Sequence, residues 1–156
     1  MVSVDISGFG ALRITHLVLD FNGTLALDGN LLPGVRRRLT QLAERMRLHV
    51  VTADTFGKAR SQLKSLRCEL VVLSDKSQDR AKAAYVRRLD PGRTACIGNG
   101  RNDRLMLRAA AIGIAVIQSE GAAPAAVLEA DIVVNDVRNA LDLLLNPLRL
   151  VASLRT

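Results

Sequence analysis

Tryptophan is absent from this chain and aromatic residues make up only 3% of it, so its 49% hydrophobic content rests on aliphatic side chains. A core built that way suits helices packed over a parallel sheet. Cysteine is nearly as scarce. Cys68 and Cys96 lie far apart, form no Cys-x-x-Cys or Cys/His cluster, and read as small buried core residues, which excludes a disulfide framework or a zinc site of the usual spacing. No apolar run reaches the roughly 18 residues needed to cross a bilayer, and the start Met1-Val2-Ser3-Val4-Asp5 lacks the features of a secretion signal. A cytoplasmic, soluble protein is the expectation.

Acidic residues are also in the minority, 15 against 22 Lys and Arg, for a formal net charge of +7. Such an excess raises the question of a nucleic-acid partner, because basic side chains neutralise phosphates. The arginines are scattered over nearly every expected helix, the densest run being Arg36-Arg37-Arg38, and no aromatics are interleaved for base stacking. Solvated helix faces are the better reading, and no nucleic-acid partner is expected. At 156 residues the chain is long enough for one well-filled core and short for two. A single domain over 1–156 is expected, with its core at about 14–145 and a tail at 146–156.

What the sequence does have is an apolar run, Leu17-Val18-Leu19, that stops abruptly in Asp20-Phe21-Asn22-Gly23-Thr24. A short apolar run closed by a turn signal marks a central parallel strand, and in open α/β sheets ligands bind beyond the carboxyl ends of such strands. Asp20 should therefore stand at the rim of a site. Gly23 lets the backbone approach a bound group, while Asn22, Thr24 and the loop's N–H groups can line an anion pocket with a cation beside it.

The rest of the chain alternates. Residues 2–6 read as a short preliminary strand before the main sheet begins over Ile14–Leu19. Asp28-Gly29 between apolar flanks signals a small β-hairpin flap over the site, and Pro33-Gly34 opens a helix to about Met46. Further strands are expected at Leu48–Thr52, Leu70–Leu73, Thr94–Ile97, Ile112–Ile117 and Ile132–Val134. Helices are expected up to about Leu66 with Asp54 or Thr55 as cap, over Ser77–Leu89, through about Ala110, after Pro124 and over Val137–Leu145. This alternation implies a three-layer, doubly wound and mostly parallel α/β sheet.

In such a sheet the ends of different strands share one edge, so Asp20–Thr24, Thr52–Asp54 and Asn99–Asp103 converge on one crevice. Asp103 can then face a cation held by Asp20, and an all-oxygen shell suits magnesium. Lys82 can supply a fixed positive charge, although a lysine on a helix is usually solvated.

Together these residues resemble the haloacid-dehalogenase-like phosphotransferase superfamily, and most closely the phosphorylation domain of P-type ATPases and its soluble relatives. Asp20-Phe21-Asn22-Gly23-Thr24-Leu25 is similar to the first motif, Thr52-Ala53-Asp54 to the second, Lys82 to the third, and Gly98-Asn99-Gly100-Arg101-Asn102-Asp103 to the fourth, in the family's order. The resemblance covers roughly residues 14–145. It implies aspartyl-phosphate chemistry: Asp20 as nucleophile, Thr52 and Lys82 on the transferring oxygens, and Mg²⁺ held by Asp20, the Asn22 carbonyl, Asn99 and Asp103. Asn22, Gly23, Thr24, Ala53 and Asn102 would line the phosphate.

Departures from the pattern matter as much. Phosphatases of the family carry a general acid/base Asp where this chain has Asn22, and an amide cannot shuttle a proton. Asn99 replaces another Asp, which removes a negative charge beside the metal. Between Leu25 and Thr52 there is room only for a flap, a helix and a strand, so no cap domain is expected and an ion pump is excluded. Capless relatives often close their sites with a large substrate or with an oligomer neighbour, so a homo-oligomer is one expectation. The leading reading is a Mg²⁺-dependent phosphohydrolase acting on a phosphorylated substrate. A non-catalytic relative that binds Mg²⁺, phosphate or a protein partner is the alternative, and a basic nucleic-acid-binding domain ranks third.

Overall fold

Six parallel strands form the central sheet of the computed structural model, which describes residues 1–74 and 76–156. In chain order they are β3 (His16–Leu19), β6 (Arg47–Thr52), β7 (Glu69–Val72), β8 (Thr94–Gly98), β9 (Ile112–Val116) and β10 (Ile132–Val134), and in space they run β10-β9-β8-β3-β6-β7. Strand β3, which leads into Asp20, thus lies between β8 and β6, with Leu19 opposite Ile97 on one side and Val50 on the other. The three strand ends that carry the polar clusters are neighbours.

Alternation along each strand feeds two separate cores, as period-two geometry requires. Leu17, Leu19, Val50 and Ile97 face a cluster completed by α1 (Val35–Ala43) and α6 (Val137–Leu145). Val18, Val51, Cys96 and Ala115 face the opposite way, onto α3 (Gln78–Leu89), α4 (Arg104–Ala109) and α5 (Pro124–Leu128). The expected helix–sheet–helix sandwich is present. Cys96 is fully buried within it and Cys68 half-buried, both as free thiols.

Two hairpins decorate the sheet. Asp28 and Gly29 both take positive φ, 51° and 75°, which is the type I′ geometry that joins β4 (Ala26–Leu27) to β5 (Asn30–Leu31) as the sequence suggests. The second hairpin departs from expectation. β1 (Val2–Ile6) pairs antiparallel with β2 (Gly10–Ile14), so Ile14 closes this ribbon instead of opening the main sheet. Its apolar residues Val2, Ile6, Leu12 and Ile14 are buried, and α7 (Leu148–Leu154) lies against it. The helix expected up to Leu66 is also shorter, α2 covering only Ala59–Leu63. Asp54 explains the late start: its carboxylate accepts from the Lys58 and Ala59 amides, both at 3.0 Å, and holds residues 54–58 as a loop.

The basic run on α1 is largely spent on bracing. Arg38 grips Asp142 of α6 through two bonds of 2.9 Å, and Arg36 donates to Ser65 and to the Gln62 carbonyl. Among the described residues no helix is long and apolar enough to cross a membrane.

At the opposite end of the sheet from the polar loops, His16 and His49 face each other at 3.0 Å, and His49 Nδ1 meets the Tyr85 hydroxyl at 2.9 Å and Glu69 at 3.4 Å. Burial lowers the pKa of both imidazoles. Arg47 and Arg93 reinforce the shift at His16 against Asp90, and at His49 Glu69 opposes it. A histidine whose folded pKa is depressed contributes stability that is present above its unfolded value of 6.5 and lost as pH falls through the folded one. The melting temperature of His49→Gln should therefore fall less than that of wild type between pH 7 and pH 5. Parallel curves for the two proteins would show that these imidazoles are not buried neutral.

Candidate active site

A buried lysine organises the site. Lys82 is fully buried on α3, and its ammonium donates to Asp20 Oδ1 at 2.6 Å and to Asp103 Oδ1 at 2.7 Å. Burial alone would lower its pKa, but the two carboxylates outweigh that and raise it well above the ordinary lysine value. Asp20 is pushed up to about 6, first by burial and then by Asp103, with Lys82 pulling the other way. Two carboxylates and one ammonium leave the trio with a net charge of −1 when all are ionised.

Replacing Lys82 with methionine should leave the two carboxylates facing each other unpaired. Removing one partner of a buried pair costs about 3–5 kcal/mol, and each kcal/mol lowers Tm by roughly 2–4 °C at this size. Thermal unfolding should show a drop of about 10 °C, part of it restored by adding Asp20→Asn. A variant as stable as wild type would contradict the pairing.

Asp103 has a second task. Its Oδ2 accepts from the backbone amides of Asn99 at 3.0 Å and Gly100 at 2.8 Å, so the carboxylate folds the fourth-motif loop around itself. Gly98 makes room for it, because a Cβ there would stand 2.5 Å from Asp103 Cγ.

Thr24 links the first and fourth motifs. Its hydroxyl lies 3.3 Å from Asp20 Oδ2 and 3.2 Å from Asn99 Oδ1, and a hydroxyl has one proton to donate, so one of these oxygens is left without it. The Asn99 amide is oriented by its donation to the Gly121 carbonyl at 3.0 Å. Asn22 Oδ1 is buried with no hydrogen-bond partner among the described residues.

Other sequence-predicted residues stand apart from this network. Thr52 is buried at the end of β6, where its hydroxyl accepts from the Asp54 amide at 2.9 Å, with Ala53 beside it. Asn102 binds Gln78 at 2.8 Å, tying its loop to α3. Gly23 has φ 77°, but its N–H donates to the Ala26 carbonyl at 2.8 Å and the Thr24 N–H to Phe21 at 3.3 Å, so these two amides are engaged within the loop. Sequence reasoning missed the turn after β9. There Gln118 donates to the Gly23 and Thr24 carbonyls, and the Glu120 carboxylate lies so close that a Cβ on Gly23 would stand 2.7 Å from it. Neither belongs to a motif, and only the fold brings them within reach.

The residues fit a divalent cation. Among the described residues no group of three His, Cys, Asp or Glu side chains is arranged to hold a metal ion by itself. The donor set is instead mixed: one buried rim carboxylate, a second carboxylate behind it, the orphaned Asn22 oxygen, and the Asp20 and Asn99 oxygens converging on Thr24. Oxygen donors with a residual −1 charge suit a hard ion such as Mg²⁺.

No protein-family model matches the chain. Two uncharacterized proteins of Methanocaldococcus jannaschii resemble it in part. One is 56% identical over 59 residues, which is 38% of this chain and 63% of that protein; the other is 49% identical over 39 residues, 25% of this chain and 89% of that protein. Solved structures match far more of it. A Vibrio cholerae protein described as 3-deoxy-D-manno-octulosonate 8-phosphate phosphatase superposes with a TM-score of 0.70 over 100% of this chain and 99% of its own, at 17% identity. A Legionella pneumophila hydrolase of the HAD superfamily, subfamily III A, gives 0.67 over 90% and 86%, at 19% identity. The Moraxella catarrhalis 3-deoxy-D-manno-octulosonate 8-phosphate phosphatase, solved with a magnesium ion, a phosphate ion and a KDO molecule, gives 0.65 over 90% of each chain, at 17% identity.

The chain has the haloacid-dehalogenase-like fold. Asp20 and Asn99 directly follow β3 and β8 and Thr52 closes β6, and these three strands are neighbours in the sheet. The matched structures are described as phosphatases and a hydrolase, and the likeness to P-type ATPases extends to the fold and no further.

Proposed function

We propose that the protein is a Mg²⁺-dependent phosphohydrolase that works through an aspartyl phosphate on Asp20. The single observation that carries this reading is the Asp20–Lys82–Asp103 trio: a rim carboxylate held at 2.6 Å by a fully buried ammonium, at the end of the central strand. It is supported by the fold's likeness to phosphatases, one of them solved with magnesium and phosphate.

Asp20, the Asn22 backbone carbonyl, Asn99 and Asp103 would hold the ion, which when bound neutralises charge on the phosphoryl oxygens and on Asp20. An Asp20 oxygen attacks phosphorus in line, a P–Oδ bond forms, and the bond to the leaving oxygen breaks. Lys82 keeps the attacking carboxylate ionised and oriented, and Lys82 and Thr52 stabilise the transferring oxygens. Water then attacks the same phosphorus, releasing phosphate and restoring Asp20. Asn22 neither protonates the leaving group nor activates that water. Substrates whose leaving group needs no proton, such as aryl or acyl phosphates, should therefore turn over best, and the second step should be slow.

Cation dependence is the first test. EDTA should abolish hydrolysis of an aryl phosphate and added Mg²⁺ restore it, whereas undiminished turnover in EDTA would exclude the site as drawn.

A further inference from the structure

The turn that follows β9 touches both chemistry-bearing loops at once. Gln118 Nε2 donates to the Gly23 carbonyl at 3.2 Å and to the Thr24 carbonyl at 2.9 Å, while its Oε1 accepts from the Val137 amide at 2.7 Å at the start of α6. The turn is closed by the Gly121 amide on the Gln118 carbonyl at 2.7 Å. Two residues on, the Ala123 amide donates to the Asn99 carbonyl at 2.9 Å, and the Gly121 carbonyl accepts from the Asn99 side-chain amide.

A primary amide is the side chain that offers two donors and an acceptor at one tip, and here all three functions are matched. The two carbonyls it holds belong to the peptides on either side of the Thr24 Cα, and the Thr24 hydroxyl reaches Asp20 and Asn99. Fixing those carbonyls fixes both peptide planes around Thr24, and with them its hydroxyl and the turn that starts at Asp20. We propose that Gln118 is a positioning residue for the nucleophile loop, setting the Asp20–Thr24 geometry from a turn some 95 residues away in sequence. The proposal rests on the phosphohydrolase reading only for its effect on turnover.

Two substitutions divide the amide into its halves. Gln118→Glu keeps an acceptor for Val137 but cannot donate to Gly23 and Thr24; Gln118→Lys keeps donors for the two carbonyls but loses the bond from Val137. The measurements are kcat and KM on an aryl phosphate with saturating Mg²⁺, Tm, and amide hydrogen exchange at Gly23 and Ala26, whose N–H groups close the loop onto Ala26 and Phe21.

In Gln118→Glu, kcat should fall about 10–100-fold with KM nearly unchanged, since a misplacement of about 1 Å costs that much. Exchange at the two amides should accelerate while Tm stays near wild type. Gln118→Lys should recover most of the lost kcat and the slow exchange, yet melt lower. Wild-type exchange in Gln118→Glu, or losses in both variants that simply follow Tm, would overturn the assignment. If wild type and Asp20→Asn prove equally inactive, the phosphohydrolase reading fails on its own, and hydrogen exchange still decides whether Gln118 sets the loop.

Discussion

Asp20→Asn should abolish phosphatase turnover, by at least about 10⁴-fold as expected for a lost nucleophile, while the purified protein keeps its fold and melts higher than wild type. Asparagine retains the shape of the side chain and an oxygen for Lys82 but cannot form the acyl phosphate. The gain in stability follows from burial. Asp20 is 6% exposed and its pKa is raised to about 6, so ionising it opposes folding. A group raised in the folded state contributes stability that is present below its unfolded value of 3.8 and lost as pH rises through about 6. Without Mg²⁺ at pH 8 the variant should therefore gain about 1 kcal/mol, or roughly 2–4 °C. The gap should narrow as pH falls through 6 and close below 3.8. Turnover equal to wild type would mean that another residue is the nucleophile.

Asn22→Asp should raise turnover about 10²–10⁴-fold, the usual contribution of a positioned acid/base. Asn22 Oδ1 is buried and has no hydrogen-bond partner among the described residues, so a carboxyl group there breaks no bond made by that oxygen. In the substituted protein the new carboxyl group can protonate the leaving oxygen and later accept a proton from the attacking water. The gain should be larger for alkyl than for aryl phosphates, because a poor leaving group depends more on the acid. Equal turnover by the two proteins on both substrate types would show that acid/base catalysis is not what wild type lacks, and would favour the non-catalytic alternative.

Much of the fold is legible in the sequence because apolar runs and turn residues have local causes. Leu17-Val18-Leu19, Leu48–Thr52 and Thr94–Ile97 are buried on both faces, and their mostly apolar character, broken by His49, Thr52 and Thr94, marks them as central strands. Asp28-Gly29 carries its own turn geometry. What escapes is non-local. Nothing near Gly10–Ile14 states that it will pair with β1, and the loop from Asp54 to Lys58 depends on one carboxylate accepting two amides.

The site divides in the same way. Asp20, Lys82, Asn99, Asp103 and Thr24 are each readable as motif residues, and the fold brings them into one hydrogen-bonded network. Lys82 is the instructive case, since an isolated helix lysine is usually solvated and only the two facing carboxylates account for its complete burial. Gln118 and Glu120 carry no sequence signal because their partners lie in a loop close in space and distant in the chain.

The most direct measurement is acid-quenched mass spectrometry of the wild-type protein mixed with Mg²⁺ and an acyl or aryl phosphate, followed by peptide mapping. Because the Asn22 amide cannot activate the hydrolytic water, the intermediate should accumulate as one acid-stable, hydroxylamine-sensitive phosphoryl group on Asp20, and be absent when EDTA is present or Asp20 is Asn. Substrate consumption without that adduct, or an adduct on another residue, would contradict the account.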